Sequence, residues 1–355
     1  MQGTPSHLRD LDMSENPLLK DEGVELLCVG LRDPQCKLEI LRLYGCFLTD
    51  KSCAALASAA RSTSCSLKQL DLGCNCINDA GVQHLSDLLK DPLCKLEILE
   101  LQECSLTEKS CAALSSAARS TSCSLKHLNL GNNNGIYDAG VQHLSDLLKN
   151  PLCKLEILKL QCCSLTEKSC AALSSAVRST SCSLKHLNLG GNDDINATGV
   201  QHLSDLLKNP LCKLEILQLM ECSLTEKSCA ALASAARSTS CSLKQLNLGN
   251  NKIHDAGVQH LSDLLKNPLC KLETLELDGC SLTEKSCAAL ASAARSTSCS
   301  LKQLNLRGNE IHDAGVQHLS DLLKNPLCKL EILEVNYQTF RRESPAAAAA
   351  STSSG

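Results

Sequence analysis

Residue types capable of chemistry are abundant in this chain, so the first question is whether any stand at spacings that chemistry needs. Twenty-five of its 355 residues are cysteine and ten are histidine. The most closely set cysteines, Cys74-Asn-Cys76 and Cys162-Cys163, lack zinc-site spacing. His84, His143, His202, His260 and His318 recur at one helix position, which reads as a solvated outer face. His127 and His186 occupy matching strand positions too far apart to share a metal. A Gly-x-x-x-x-Gly-Lys-(Ser/Thr) loop, a Gly-x-Ser-x-Gly elbow and His-Glu-x-x-His are all missing from the sequence. No catalytic residue, no metal and no cofactor are expected, and the chain reads as non-catalytic.

These residues recur because the elements that carry them recur. Cys-Lys-Leu-Glu-(Ile/Thr)-Leu begins at Cys36, Cys94, Cys153, Cys212, Cys270 and Cys328. Between them, Cys-Ser-Leu-Lys-(Gln/His)-Leu begins at Cys65, Cys123, Cys182, Cys241 and Cys299. The step is 29 residues, or 30 where one is added near Gly135 and Asp194. Leu-x-x-Leu-x-Leu runs through every unit from Leu38 to Leu330, and a variant with Met13 opens the chain. Three residues past its last leucine stands Cys in one kind of unit (Cys46, Cys104, Cys163, Cys222, Cys280). In the other kind it is Asn (Asn16, Asn75, Asn133, Asn192, Asn251, Asn309). This is the leucine-rich-repeat signature in about 12 alternating units.

Each unit predicts a short strand and then a helix. Alternating leucines put two side chains inward from the strand. The Asn side chain can satisfy the backbone of the turn, stacking as a ladder from unit to unit. In the Asn-type helix Val82, Leu85, Leu88 and Leu89 share a face, with Asp79 as the expected N-cap. In the Cys-type helix Thr107 is the expected cap. Helices pack ~8–10 Å apart and strands ~4.8 Å, so the stack must bend. The expected fold class is α/β, a leucine-rich-repeat solenoid or horseshoe with a parallel concave sheet and convex helices. The second strand-motif position alternates Glu39, Lys68, Glu97, Lys126 and onward, which sets opposite charges side by side on neighbouring strands.

Composition agrees with thin repeated layers. Hydrophobic residues are 43% and aromatic residues 1%, so the core is built from Leu, Ile, Val, Ala and Cys. Net charge is −4, which offers no basic patch for nucleic acid. No apolar run reaches the ~20 residues of a membrane helix, and the N-terminus lacks a secretory layout. The expected location is cytoplasmic. There the cysteines serve as small core hydrophobes, with oxidation as a hazard where neighbouring columns approach.

Sequence differences between units locate the binding candidates. From Phe47 to Lys68 and in the four equivalent stretches, only four columns vary. The strand positions aimed into the horseshoe vary instead. These are Arg42 and Tyr44, then Glu100, Gln102 and Glu103, then Lys159 and Gln161. Further on they are Gln218, Met220 and Glu221, then Glu276 and Asp278, with Arg307 among the otherwise bland Asn-type units. Neutral drift scatters changes along a unit, so concentration on one face points to recognition of a protein ligand.

The wording of the units carries a resemblance. Alternating Cys-type and Asn-type units of about 29 residues resemble the ribonuclease-inhibitor subfamily of leucine-rich repeats. Pro-x-Cys-Lys-Leu-Glu-x-Leu, Leu-Thr-Glu-Lys-Ser-Cys-Ala-Ala-Leu and Asp-Ala-Gly-Val-Gln-His-Leu are most similar to the repeats of NOD-like (NACHT and leucine-rich-repeat) receptors, particularly the expanded fish type. That resemblance implies the ligand-sensing or regulatory region of an innate-immune receptor, or a stand-alone derivative, since no NACHT module is present. The alternative it implies is a cytosolic inhibitor of a secreted-type ribonuclease. The repeat domain is expected over residues 1–337 and a low-complexity, disordered tail over 338–355. No convincing cap is legible at either end, so self-association is expected through uncapped ends, the C-terminal edge above all.

Overall fold

The computed structural model describes residues 7–61, 65–119, 123–179, 183–237 and 241–342. Contacts divide the chain into two units, one running to Asn192 and one from Asp193. The first holds β1 (Asp10–Asp12), α1 (Lys20–Leu31), β2 (Ile40–Arg42), α2 (Asp50–Ala60), β3 (Gln69–Asp71), α3 (Asn78–Leu89), β4 (Ile98–Glu100), α4 (Glu108–Ala118), β5 (His127–Asn129), α5 (Tyr137–Leu148), β6 (Ile157–Lys159), α6 (Glu167–Ser179) and β7 (His186–Asn188). The second holds α7 (Asn196–Leu207), β8 (Ile216–Gln218), α8 (Glu226–Ala236), β9 (Gln245–Asn247), α9 (His254–Leu265), β10 (Thr274–Glu276), α10 (Glu284–Ala294), β11 (Gln303–Leu306), α11 (Asp313–Lys324), β12 (Ile332–Val335) and β13 (Gln338–Arg341). This is the expected α/β leucine-rich-repeat solenoid, with strands in one layer and helices in the other.

Within each unit the repeat strands pair in parallel and in register. Leu41 lies opposite Leu70, and Leu70 opposite Leu99. Leu246 lies opposite Leu275, and Leu275 opposite Leu304. These central leucines are at most 2% exposed, so a slip of one residue would carry the whole row to solvent. The charge alternation closes as ion pairs, each lysine reaching back to the preceding strand: Lys68–Glu39 at 2.8 Å, Lys126–Glu97 at 2.9 Å, Lys244–Glu215 at 2.9 Å and Lys302–Glu273 at 2.8 Å. They are exposed and each contributes at most ~1 kcal/mol, so they favour register more than stability.

The Asn column forms the expected ladder. Asn133 Oδ1 accepts from Cys104 N (2.9 Å) and Leu106 N (3.1 Å). Its Nδ2 donates to Leu101 O (2.9 Å), Leu130 O (2.8 Å) and Gly131 O (3.2 Å). Asn75, Asn192, Asn251 and Asn309 repeat the pattern. Every polar atom of a buried amide is thereby satisfied, which is why Asn can sit inside an aliphatic core.

Thr107 caps α4 as expected, accepting from Lys109 N at 3.2 Å. Asp79 does not cap its own helix, whose N-cap position is Ile77. Its carboxylate serves the next helix, accepting from Thr107 N (3.0 Å), Thr107 Oγ1 (2.7 Å) and Ser110 Oγ. Asp21, Asp138 and Asp255 do the same for α2, α6 and α10. Burial works against these charges, but the hydrogen bonds outweigh it and hold the carboxyls below the usual range. At α7 the column reads Ala197, and α8 carries an internal capping box instead, the Thr225 side chain accepting from Ser228 N and Ser228 Oγ from Thr225 N at 3.3 Å.

Two expectations fail at the C-terminus. The boundary at 337/338 is too early, because Gln338–Arg341 form β13, antiparallel to β12. The C-terminal edge is also capped. The Arg342 guanidinium donates to Leu330 O (2.9 Å), Asn325 O (3.1 Å) and Leu322 O (3.4 Å), tying the end of α11 and the turn after it to the strand that follows β12. Residues 343–355, the remainder of the expected tail, lie outside the described residues.

Candidate functional site

The strand face of each unit is set by the alternation that buries the central leucines. Residues on either side of each central leucine are half-buried and face outward. The first unit brings Arg42, Tyr44, Glu100, Gln102, Glu103, Lys159 and Gln161 onto one face. The second does so with Gln218, Met220, Glu221, Glu276, Asp278 and Arg307. The thirteen candidates thus fall into two sets.

The Asn-type strands, bland in sequence, make room for these side chains and fix them. Gly73 lies where a Cβ would come within 2.4 Å of Gln102 and 2.9 Å of Tyr44. Gly131 is likewise covered by Gln161, and Gly249 by Asp278. Tyr44, Gln102, Gln161 and Asp278 therefore lie across the glycine of a neighbouring Asn-type strand. Asn129 Nδ2 donates to Glu100 (2.6 Å) and Gln102 (3.2 Å), and Asn132 Nδ2 to Glu103 (2.8 Å). Asn247 holds Glu276 (2.7 Å) and Asn250 holds Glu221 (3.0 Å). Asn305 reaches Asp278 at 3.4 Å. These amides preorganise the acidic groups, a positioning role that sequence reading overlooked because Asn-x-Gly is nearly constant.

Some of the candidates are paired already. Arg42 meets Asp10 at 2.7 Å, and Arg307 meets Glu334 at 3.4 Å and Thr339 Oγ1 at 2.9 Å. His127 Nε2 stands 3.3 Å from Glu100 Oε1 without hydrogen-bond alignment. Burial, above the opposing pull of Glu100, lowers the His127 pKa, so the imidazole is neutral at pH 7. Burial, with Asp278 and Glu334 adding to it, raises the carboxyl of Glu276. Sequence reading also missed an apolar stripe on the same faces. Ile40, Ile98 and Ile157 in the first unit, and Ile216 and Ile332 in the second, are half-buried beside the variable positions. Strict period-two counting from the central leucine would have found them.

The cysteines divide by burial. The turn cysteines donate to strand carbonyls, as Cys104 Sγ does to Leu72 O at 3.2 Å. Burial pushes Cys104 up to about 12 and Cys94 to about 11. Cys74 and Cys76 are exposed. Among the described residues no cluster of His, Cys, Asp and Glu could hold a metal ion, and no helix is long and apolar enough to cross a membrane.

Comparisons with known proteins agree with this architecture. The family profile described as Leucine Rich repeat matches residues 4–28, 63–86, 121–145, 180–204, 239–262 and 297–320. Ribonuclease inhibitor of Mus musculus is 39% identical over 233 residues, 66% of this chain and 37% of that protein. NACHT, LRR and PYD domains-containing protein 14 of Homo sapiens is 38% identical over 225 residues, 63% of this chain and 20% of that protein. The chain thus spans well under half the length of these relatives. Among solved structures, the yeast Rad7 and Elc1 complex contains a chain of the same fold, with TM-score 0.50 and 19% identity, covering 93% of this chain and 83% of that one.

Proposed function

Since its units are leucine-rich repeats similar to those of ribonuclease inhibitor and of the NACHT, LRR and PYD proteins, we propose that this chain is a non-catalytic scaffold that binds a protein ligand on its strand face. It acts in the cytosol as the ligand-sensing or regulatory repeat region of a NOD-like receptor, or as a stand-alone derivative of one. The observation that carries this reading is where the units differ. After α1 the helices of each type are nearly identical copies, whereas the outward strand positions change from unit to unit, and the neighbouring Asn and Gly columns hold several of those side chains in place. A face tuned stripe by stripe within a uniform scaffold is what selective recognition needs.

The test reverses charge on the strand face (Arg42→Glu, Glu100→Lys, Lys159→Glu, Glu276→Lys) and, separately, on the helix face (His84→Glu, His143→Glu, His260→Glu). Both sets are compared by quantitative affinity capture, with circular dichroism as a folding control. Partners lost with the first set and kept with the second support the proposal. Partners indifferent to the first set refute it.

The similarity to ribonuclease inhibitor supports a second reading, a stand-alone inhibitor. Titration against a basic pancreatic-type ribonuclease separates the two. Stoichiometric inhibition at nanomolar concentration establishes the inhibitor, and full residual activity leaves the receptor-type reading.

A further inference from the structure

In each unit the connections that run from a helix to the next strand lie on one edge, and that edge has a chemistry of its own. In the second unit Lys208, Arg237, Lys266 and Arg295 each stand directly past a helix, and Lys324 ends α11. Further along, Leu211-Cys212-Lys213, Leu269-Cys270-Lys271 and Leu327-Cys328-Lys329 lead into β8, β10 and β12. In each triplet the cysteine is buried and the lysine exposed, and the leucines are 44%, 41% and 69% exposed. The first unit repeats the pattern at Leu93-Cys94-Lys95 and Leu152-Cys153-Lys154, with leucines 44% and 48% exposed. Past α1, these are the exposed leucines among the described residues.

The fold does not require them. Each leucine amide donates to the side chain two residues before it, as Leu211 N does to Asn209 Oδ1 (2.9 Å), Leu269 N to Asn267 Oδ1 (2.9 Å) and Leu327 N to Asn325 Oδ1 (3.0 Å). The same turn forms with Gln35 in that place, its N donating to Asp33 Oδ1 at 2.8 Å, and Ser298 holds the position in an Asn-type connection. A helix dipole favours a cation at Arg237 or Lys266. It gives no reason for Lys213, Lys271 and Lys329, whose place is taken by Ser242 and Ser300 in Asn-type units. The carboxylates near this edge, Asp205, Asp263 and Asp321, each meet the lysine one turn on, at 3.7, 4.0 and 3.3 Å. Among the described residues Lys213, Arg237, Lys271, Arg295 and Lys329 meet none. The net charge of −4 conceals this, because Glu221, Glu226, Glu284 and Glu310 lie at the opposite, strand-to-helix edge.

Uncompensated cations select an anionic partner, and exposed leucines set among them select one with an apolar interior. Single-stranded nucleic acid rewards aromatic stacking platforms, and these connections contain no aromatic residue. Lysine, which supplies most of the charge, is a point charge without the fork that reads one particular carboxylate or phosphate. An anionic bilayer answers both features, with headgroups for the cations and the acyl boundary for the leucines.

We propose that this helix-to-strand edge docks on an anionic membrane surface, its leucines entering the headgroup boundary and its lysines meeting the lipid charges. The strand face stays free for a protein ligand, so either reading can fail without the other. Cosedimentation of the full chain with phosphatidylcholine vesicles, with and without about 30% phosphatidylserine, tests it at about 0.1 M salt. Binding is expected to the anionic vesicles alone and to weaken as salt rises. Lys213→Glu/Lys271→Glu/Lys329→Glu is expected to lower partitioning at least ~30-fold. Leu211→Ser/Leu269→Ser/Leu327→Ser, which installs the residue found at Ser298, is expected to lower it roughly tenfold with circular dichroism unchanged. Lys227→Glu/Lys252→Glu/Lys285→Glu makes the same charge change at the opposite edge and is expected to keep most of the binding. Absence of binding to anionic vesicles overturns the proposal, as does an equal loss in the opposite-edge variant or indifference to the leucine substitutions. Binding to soluble polyuridylate or polyglutamate but not to the vesicles overturns it as well.

Discussion

Replacing Ala197 with aspartate should repair a gap in the interhelix capping column and stabilise the first turn of α8. In the intact steps one carboxylate accepts three hydrogen bonds from the next helix, as Asp255 does from Thr283 N (3.0 Å), Thr283 Oγ1 (2.7 Å) and Ser286 Oγ. α8 presents the same donors on Thr225 and Ser228, but Ala197 cannot accept. Hydrogen bonds to a charged group are worth ~1.5–3 kcal/mol each. The site is half-buried, so the new charge must be partly desolvated, and the Thr225–Ser228 capping box is lost. The net gain is therefore about 1–2 kcal/mol. Repeat arrays do not always unfold in two states, so a local readout is preferable. Hydrogen exchange of the first-turn amides of α8 should slow ~5–30-fold at pH 7. The sign with pH is fixed. A carboxyl depressed in the folded state stabilises fully above its unfolded pKa, near 3.8, and loses that gain as pH falls through its folded value. Unchanged or faster exchange in Ala197→Asp at pH 7, or a gain that survives full protonation, would refute the reasoning.

Asn133→Ala removes five buried hydrogen bonds and leaves the Cys104 and Leu106 amides without their acceptor, so it should cost about 3–5 kcal/mol in urea unfolding; a cost under ~1 kcal/mol means the ladder is not structural. Ser115 and Ser174 bury hydroxyls without a partner where Ala57, Ala233 and Ala291 stand in other units. Ser115→Ala should therefore stabilise by about 1 kcal/mol, and a clear loss of stability would show a hidden hydrogen bond. In the native state a disulfide-exchange reagent at pH 8 should modify Cys74 and Cys76 first, because burial raises thiols such as Cys104 and Cys280 to about 12. Uniform labelling of all thiols would contradict that. Burial of neutral His127 means the unfolded state binds its proton more readily. Stability should therefore fall as pH drops through ~6.5, and His127→Gln should flatten that part of the curve.

The repeat framework was legible because each inward leucine is dictated by its own strand and each unit repeats the instruction. The Asn column was legible for a related reason, since a buried amide with no local partner must serve a turn. Asp79 misled because capping rules are local, whereas its acceptor role is spent on Thr107, 28 residues later. Only the stacking of successive helices brings the two together. The C-terminal cap was hidden because one guanidinium, Arg342, does work for which no repeat provides a template. Ile40 and its counterparts were passed over because a constant isoleucine reads as core, although its place two residues from Arg42 puts it on the outward face. The variable side chains were found by comparing units, but not that Asn129 and Asn247 hold the glutamates among them.

The claim that the strand face is the recognition surface is tested most directly by site-specific photo-crosslinking in cells. A photoreactive residue is placed at Gln102 or Met220 on the strand face, and at His84 or His260 on the helix face. The account predicts discrete protein adducts from the strand-face positions and none from the helix-face positions. Adducts only from His84 or His260 would contradict it.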